Sequence, residues 1–353
     1  MSALKHQQHL PPINTDEHRL KSFKNKYLQY TAAICAAIVA LGNTYAQTAT
    51  TGSGQSYPNR PIRLVVPYPP GGGTDVVART LAQKMNEVMG QTVVVDNRPG
   101  ANGIIGSDVV AKAAPDGYTV LITLVTHVTN PALYAKLPYG PDDHAPVTVL
   151  AEYPFVITVH PSLPVKNTKE FIAFAKSRPG QLTFASSGNG SGPHLGMELF
   201  KSMAGIDVVH VPYKGAGQAM SDLLSGQVPI FLNNFLAGAQ MIKAGRLRAL
   251  AVTSRKRSAA APDIPPVAES GVPGYVVTGW YAMMVPGATP PQVVRILHEG
   301  TIKALKSKEV SGRLSGEAAE IVGNTPQEFA AFMKSESEKW TAVIRKAKIR
   351  IAE

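Results

Sequence analysis

Four short stretches carry the residue types that hold small anions. In Tyr68-Pro69-Pro70-Gly71-Gly72-Gly73-Thr74-Asp75, three glycines run into a helical pattern. Glycine lets the backbone approach a ligand closely, and a helix start presents N–H groups with no partner inside the helix. The helix dipole adds to this, so such a start attracts a carboxylate or a phosphate. Ser186-Ser187-Gly188-Asn189-Gly190-Ser191-Gly192-Pro193-His194 repeats the arrangement with hydroxyls added. Val211-Pro212-Tyr213-Lys214-Gly215-Ala216-Gly217 offers a phenol and an ammonium. Thr126-His127-Val128-Thr129-Asn130 offers hydroxyls, an imidazole and an amide. Taken singly, each also has the composition of an ordinary turn with a helix cap.

The chemistry these stretches lack narrows the choice. No Gly-Lys-Ser/Thr follows the triple glycine, and G-x-G-x-x-G spacing is absent, so neither nucleotide fingerprint is present. Ser187 is flanked two residues away by Ala185 and Asn189, and Ser191 by Asn189 and Pro193. A hydrolase nucleophile turn needs glycines there. His127, His194 and His210 do not fall at metal-ligand spacing, and Asp75, Asp207 and Asp222 show no acid–base pairing. No catalytic residue, metal or cofactor is expected. His194 reads as a helix-start residue or ligand contact rather than a general base, and Trp280 as core.

The elements that must position these stretches alternate. Residues 62–68 form a strand candidate, 75–89 a helical pattern stopped by Gly90, 92–95 a strand, 102–113 a helix and 118–123 a strand. That order implies a parallel sheet with helices on its faces. Strands at 155–159, 182–185, 208–211, 228–232 and 247–252 repeat the rhythm, with helices at 168–177, 193–203, 216–224 and 237–244. A proline-rich stretch, 262–273, precedes a strand at 281–285 and a helix at 290–306. Thr325-Pro326-Gln327-Glu328 is a capping box that launches a last helix to about residue 349. Two α/β units and a helical return predict two lobes, with the chain crossing between them twice. Ligands of open α/β sheets sit beyond the strand C-terminal ends. Two facing lobes would therefore gather the four stretches around one solute.

Composition bounds the function further. The chain has 353 residues, 44% of them hydrophobic, enough for two ordinary cores. Its net charge of +11 is scattered; the densest run, Arg255-Lys256-Arg257, has no interleaved aromatics, so nucleic acid is not the expected partner. Lys21, Lys24 and Lys26 precede an apolar run at 31–41 that is too short to span a bilayer, and Thr44-Tyr45-Ala46 offers a cleavage site. Residues 1–46 read as a signal peptide cut near Ala46-Gln47, and 47–57 as a linker. Cys35, the one cysteine, lies in the apolar run, so the mature chain would hold no disulfide. The bulky Ile34 before it argues against a lipid anchor. Cleavage would remove five Lys/Arg and two Asp/Glu and leave +8.

The chain resembles the Bug/TctC family, the substrate-binding proteins of tripartite tricarboxylate transporters. The stretches that carry the resemblance include YPNRPIRLVVPYPPGGGTDVVAR, VVVDNRPGANGIIGSDVVAKAAPDGYT, LTFASSGNGSGPHL, HVPYKGAGQAMSDLLSGQV and TPQEFAAFMKSE, in order from Tyr57 to near the C-terminus. The resemblance implies an α/β chain with a type II periplasmic-binding-protein fold: two α/β lobes on a two-strand hinge, with a ligand cleft between them. The lobes would be 58–158 with 275–353, and 159–274. It implies a periplasmic protein, acting as a monomer, that captures a di- or tricarboxylate or a related acid for an integral membrane permease. A sensory accessory that reports the same ligand to a membrane sensor is the alternative, and an α/β hydrolase-like enzyme a remote one. The ligand residues would be Tyr68, Gly72, Gly73, Thr74 and Asp75, then Thr126, His127 and Asn130, then Ser186, Ser187, Asn189, Gly190, Ser191 and His194, then Tyr213, Lys214, Gly215 and Asn233. Two positions depart from the family pattern. His144 stands where phenylalanine is common, and Asn233 where aspartate is common. The second change removes a carboxylate and predicts a weakened preference for amino-acid ligands.

Overall fold

The computed structural model describes residues 57–349, so the leader, its cleavage site, Cys35 and most of the linker lie outside the described residues. Strand β1 (Ile62–Val66) is apolar at every position but Arg63 and is almost wholly buried, as a central parallel strand must be. It pairs in parallel with β2 (Val93–Asn97) on one side and β3 (Thr119–Thr123) on the other. Helices α1 (Gly73–Met89) and α2 (Ile104–Ala111) make the crossovers. α1 buries Val77, Leu81 and Met85 at helical spacing and stops at Gly90, whose φ of 67° suits glycine.

Residues 126–130, expected as a loop, instead open helix α3 (Thr126–Leu133), which carries Pro131 inside it. The short length and the internal proline hid it. A larger surprise is β4 (His144–Val159), of which only 155–159 were foreseen. Pro146 and Pro154 have no N–H to give to a ladder, yet the strand continues through both. Its residues 144–154 pair antiparallel with β9 (Thr278–Pro286), and 155–159 pair antiparallel with β7 (Ile230–Asn234). Along 144–154 the edge opposite β9 carries β10 (Glu320–Ile321), and along 156–159 the edge opposite β7 carries β8 (Arg248–Val252). One unbroken strand thus belongs to two sheets and changes from one to the other at Pro154 and Phe155.

The chain recrosses beside this point. Thr253 N donates to Phe155 O (2.9 Å), Phe155 N donates to Thr253 Oγ1 (2.9 Å), and Val277 N donates to Thr253 O (2.9 Å) just before β9 begins. In the second half β5 (Thr183–Ser186) lies between β6 (Val209–Pro212) and β7, all parallel. Helices α4 (Thr168–Lys176), α5 (Gly192–Ala204), α6 (Ala216–Ser225) and α7 (Phe235–Lys243) connect them. Asn167 caps α4 by accepting from Glu170 N, as its sequence suggests. The full order is β2-β1-β3-β9-β4-β7-β5-β6. The expected parallel pairing holds for β1–β3 and β5–β7, whereas β4, β8, β9 and β10 make the sheets mixed. An apolar run does not encode strand direction.

Strand directions place the loops. β3 is antiparallel to β9, and β9 to β4, so β1–β3 end toward the second half. β7 is antiparallel to β4, so β5–β7 end toward the first. Helices α8 (Pro291–Leu305), α9 (Lys308–Gly316) and α10 (Pro326–Lys346) return over the first half. The capping box forms at Thr325 and Glu328. α10 packs on α3 and β4 and also reaches α5. It is anchored where Trp280 and Trp340 donate indole N–H groups to Glu336, at 3.3 and 2.9 Å. Trp280 is core, as read from its type.

Candidate functional site

The loop after β1 is built around one carboxylate. Asp75, 3% exposed in the first turn of α1, accepts from Gly71 N (2.9 Å), Asn97 Nδ2 (2.9 Å) and Arg79 Nε (3.0 Å). Burial alone would raise this carboxyl, but these donors outweigh it and hold it below the usual carboxylate range. Asp75 therefore ties the glycine loop back onto its helix. The N-cap position is Gly72, with no side-chain cap, so the first N–H groups of α1 stay open. Thr74 is buried and its hydroxyl has no hydrogen bond among the described residues.

Tyr68 turns toward the next loop, its hydroxyl 2.6 Å from Thr126 Oγ1. Burial pushes this phenol up to about 12 despite that bond. Asn130 is held by Asn102: Asn102 Nδ2 donates to Asn130 Oδ1 (2.9 Å), and Asn130 Nδ2 donates to Asn102 O (3.2 Å). Asn102 itself has a left-handed φ of 55° between Ala101 and Gly103, which are also at positive φ. His127 points elsewhere. Its ring lies parallel to Tyr139 (6.1 Å) and edge-on to His144 (5.0 Å), and Nδ1 is buried without a partner.

In the second half, Ser186 Oγ and His210 Nε2 are 2.6 Å apart, and His210 stacks on His194 at 3.7 Å. His194 Nδ1 accepts from Gly190 N (3.0 Å), and Ser191 caps α5 by accepting from His194 N (3.4 Å). Ser186 and His210 stand at a nucleophile–base distance that the sequence did not reveal. Ser186 is fully buried, however, and its hydroxyl is also tied to Gly188. These side chains brace the loop. Ser187 and Asn189 remain without hydrogen bonds among the described residues, Ser187 half-buried and Asn189 exposed. Tyr213 N donates to Ser186 O (3.2 Å), which joins the third stretch to the second, while the Tyr213 hydroxyl donates to Asp222 Oδ2 (2.8 Å). Lys214 is exposed and Gly215 has a φ of 123°. Asn233 is buried in β7, with Nδ2 unpartnered and Oδ1 3.3 Å from Thr158 Oγ1.

The loops of the two halves meet. A Cβ built on Gly192, at the start of α5, would stand 2.8 Å from Phe155 Cζ and 3.6 Å from Val125 Cγ1, just before α3. Phe155 packs edge-on to Tyr153 (5.6 Å), and Tyr153 lies on Tyr281 (4.8 Å). A Cβ on Gly73, at the start of α1, would stand 3.3 Å from Tyr281 Oη. An aromatic row on β4 and β9 thus links the starts of α5, α3 and α1. Sequence reasoning missed this row and Asn97, because each gains its place only through strand pairing, and Asn102, because its left-handed turn brings it to Asn130 from 28 positions away. Gly192→Val is expected to force Phe155 aside, at a cost of about 1–3 kcal/mol of stability, and to weaken ligand capture at least tenfold, because even its Cβ would stand 2.8 Å from that ring. Calorimetric titration checks it, and wild-type affinity would place this contact outside the site.

A separate groove of about 740 Å³ opens beside Glu152 and Pro154, on the face of β4 away from the Tyr153 and Phe155 side chains. Glu152 and Glu320, directly opposed in the β4–β10 pair, stand on its first-half wall, and Arg255 and Lys256 on its second-half wall. Among the described residues, no group of three or more His, Cys, Asp or Glu is placed to hold a metal, and no helix is long and apolar enough to cross a membrane.

Comparison with known proteins places this geometry in context. The model of the tripartite tricarboxylate transporter family receptor matches residues 77–349. Protein BugT of Bordetella pertussis is 38% identical over 312 residues, covering 88% of this chain and 96% of BugT. The structure of Rpa4515 from R. palustris with adipate is 37% identical, with a TM-score of 0.77, and covers 84% of this chain and 100% of that one. MatC from Rhodopseudomonas palustris, with bound malate, is 31% identical at a TM-score of 0.73, covering 82% and 100%.

Proposed function

This chain belongs to the tripartite tricarboxylate transporter receptor family, and from that premise we propose that it captures a small organic carboxylate between two α/β lobes in the periplasm. The lobes are assigned as 58–158 with 275–353, and 159–274, and the recipient as an integral membrane permease. The observation that carries the reading is the meeting of helix starts from both halves along one aromatic row, those of α1 and α3 without side-chain caps and that of α5 capped by Ser191, with the Thr74 and Ser187 hydroxyls unspent. Backbone N–H groups and hydroxyls can grip a carboxylate without a formal cation. The bound adipate and malate of the similar structures support the ligand class. Binding is assigned without catalysis, since Ser186 is fully buried with its hydroxyl tied to Gly188 as well as His210, and the hydroxyls nearer the gap have no base beside them.

Titration of the processed protein with adipate, malate, citrate and glutamate tests the reading. One-to-one binding of a dicarboxylate, tighter than that of glutamate, is the expected result; the second part reflects Asn233. Thr74→Ala and Ser187→Ala are each expected to weaken binding about tenfold to a hundredfold, the worth of one charge-assisted hydrogen bond. Unfolding midpoints should stay within ~1 kcal/mol of wild type. Unchanged affinity in both variants would remove these loops from the site.

A further inference from the structure

Behind the start of α1 sits a second carboxylate that the binding reading leaves unused. Glu317, at the end of α9, has a side chain only 2% exposed. Tyr281 Oη donates to its Oε2 (2.9 Å) and Arg313 Nη2 to its Oε1 (3.1 Å). Its two oxygens would stand 3.9 and 4.0 Å from a Cβ on Gly73, so it lies against the first turn of α1 from within. The groups that face it are Tyr281 on β9, Arg313 on its own helix, Tyr153 on β4 and that first turn, which carries the Asp75 carboxylate paired with Arg79. Burial raises this carboxyl above its ordinary range, and the Tyr281 and Arg313 donors offset that only in part. Arg313 is 37% exposed, so water screens much of its charge.

A ligand carboxylate gripped by the same turn would add a third negative charge, after Asp75 and Glu317, to a helix end that carries about half a positive one and has Arg79 against Asp75. Two carboxylates at one site do not both ionise freely. We propose that Glu317 ties carboxylate capture to proton uptake: as the ligand's charge settles on the first turn of α1, Glu317 takes a proton from solvent. The inference rests on the proposed function and adds to it. Glu317 acts as a positioning residue, touching the turn rather than the ligand. The consequence is a receptor that holds an anionic ligand more tightly in acid than in alkali.

Calorimetry with adipate as the probe, in buffers of small and large ionisation enthalpy between pH 6 and 8, reads the proton directly. The wild-type chain is expected to take up a fraction of a proton per adipate. Its affinity should fall as pH rises through the range where the liganded chain gives that proton back, by up to tenfold per unit, and level off above it. Glu317→Gln keeps one acceptor, for Arg313, and offers its amide N–H to the Tyr281 hydroxyl, which can turn to accept; it should bind adipate with no buffer dependence and a flat pH profile. Tyr281→Phe gives an independent arm. It removes a donor from the charged form, so Glu317 is protonated earlier, less proton is taken up, and tight binding persists to higher pH. No uptake in the wild type, or equal uptake in Glu317→Gln, overturns the inference while leaving the receptor reading intact. No binding of adipate, malate or citrate to the wild type overturns both.

Discussion

Replacing Asp75 by alanine is expected to cost about 2–4 kcal/mol of stability and to abolish measurable carboxylate binding. The carboxylate serves three donors at once, Gly71 N, Asn97 Nδ2 and Arg79 Nε. Alanine leaves the half-buried Asn97 amide with Tyr68 O (3.2 Å) alone and Gly71 N without its acceptor, and each lost partner of this kind costs about 1–3 kcal/mol. Arg79 is mostly exposed and rehydrates, so its share of the loss is small. The larger effect is geometric: without Asp75 nothing holds the glycine loop against α1, and the open N–H groups lose their fixed direction. Asp75→Asn, which keeps an acceptor, should lie between the two. Urea unfolding and adipate titration on the three proteins check this; an alanine variant that binds like wild type would show that the loop holds itself.

Acid is expected to unfold this protein well above the pH at which ordinary carboxylates titrate. Burial, then the nearby His144, lowers His127 to about 3; burial, then His210 and Lys201, lowers His194 to about 3; burial, then Lys201, lowers His210 to about 4. In the unfolded chain each returns to about 6.5. Between those values the unfolded state binds more protons, so stability rises with pH and is lost as pH falls from about 6.5 toward 4. Each group contributes up to ~1.4 kcal/mol per pH unit, and three together about 4, which is a large part of a typical stability. Urea midpoints should therefore be flat above pH 7 and fall steeply below 6. His127→Phe, which suits the ring pocket of Tyr139 and His144, should remove about a quarter to a third of the slope, since burial lowers His144 as well and gives it a share. A midpoint unchanged at pH 5 would mean that these imidazoles are charged in the fold.

What the sequence made legible is local. The glycine run, the serine loop and the Thr325 cap announce helix starts because the signal and its effect lie within four residues. Side-chain direction was not legible. Asp75 and Tyr213 look like ligand contacts in a list of polar residues, yet one binds its own loop and the other Asp222. His127 lies among promising neighbours and faces Tyr139, because residues 126–130 are a helix whose successive side chains diverge. Tyr153, Phe155 and Tyr281 carried no signal at all. Their row exists only because β4 pairs with β9, more than a hundred positions away, and because Gly279 leaves room for the Tyr153 ring. Glu317 was hidden by the same distance, on a helix the pattern did not announce.

Because β4 and the start of β9 join the halves as paired strands, they act as a fulcrum rather than as tethers. Any tilt that parts the helix starts on one side must pinch the 740 Å³ groove on the other, bringing Arg255 and Lys256 toward Glu152 and Glu320. The molecule is in effect a seesaw. A wedge driven into the rear groove keeps the mouth shut, and opposite charges drawn together there hold it agape.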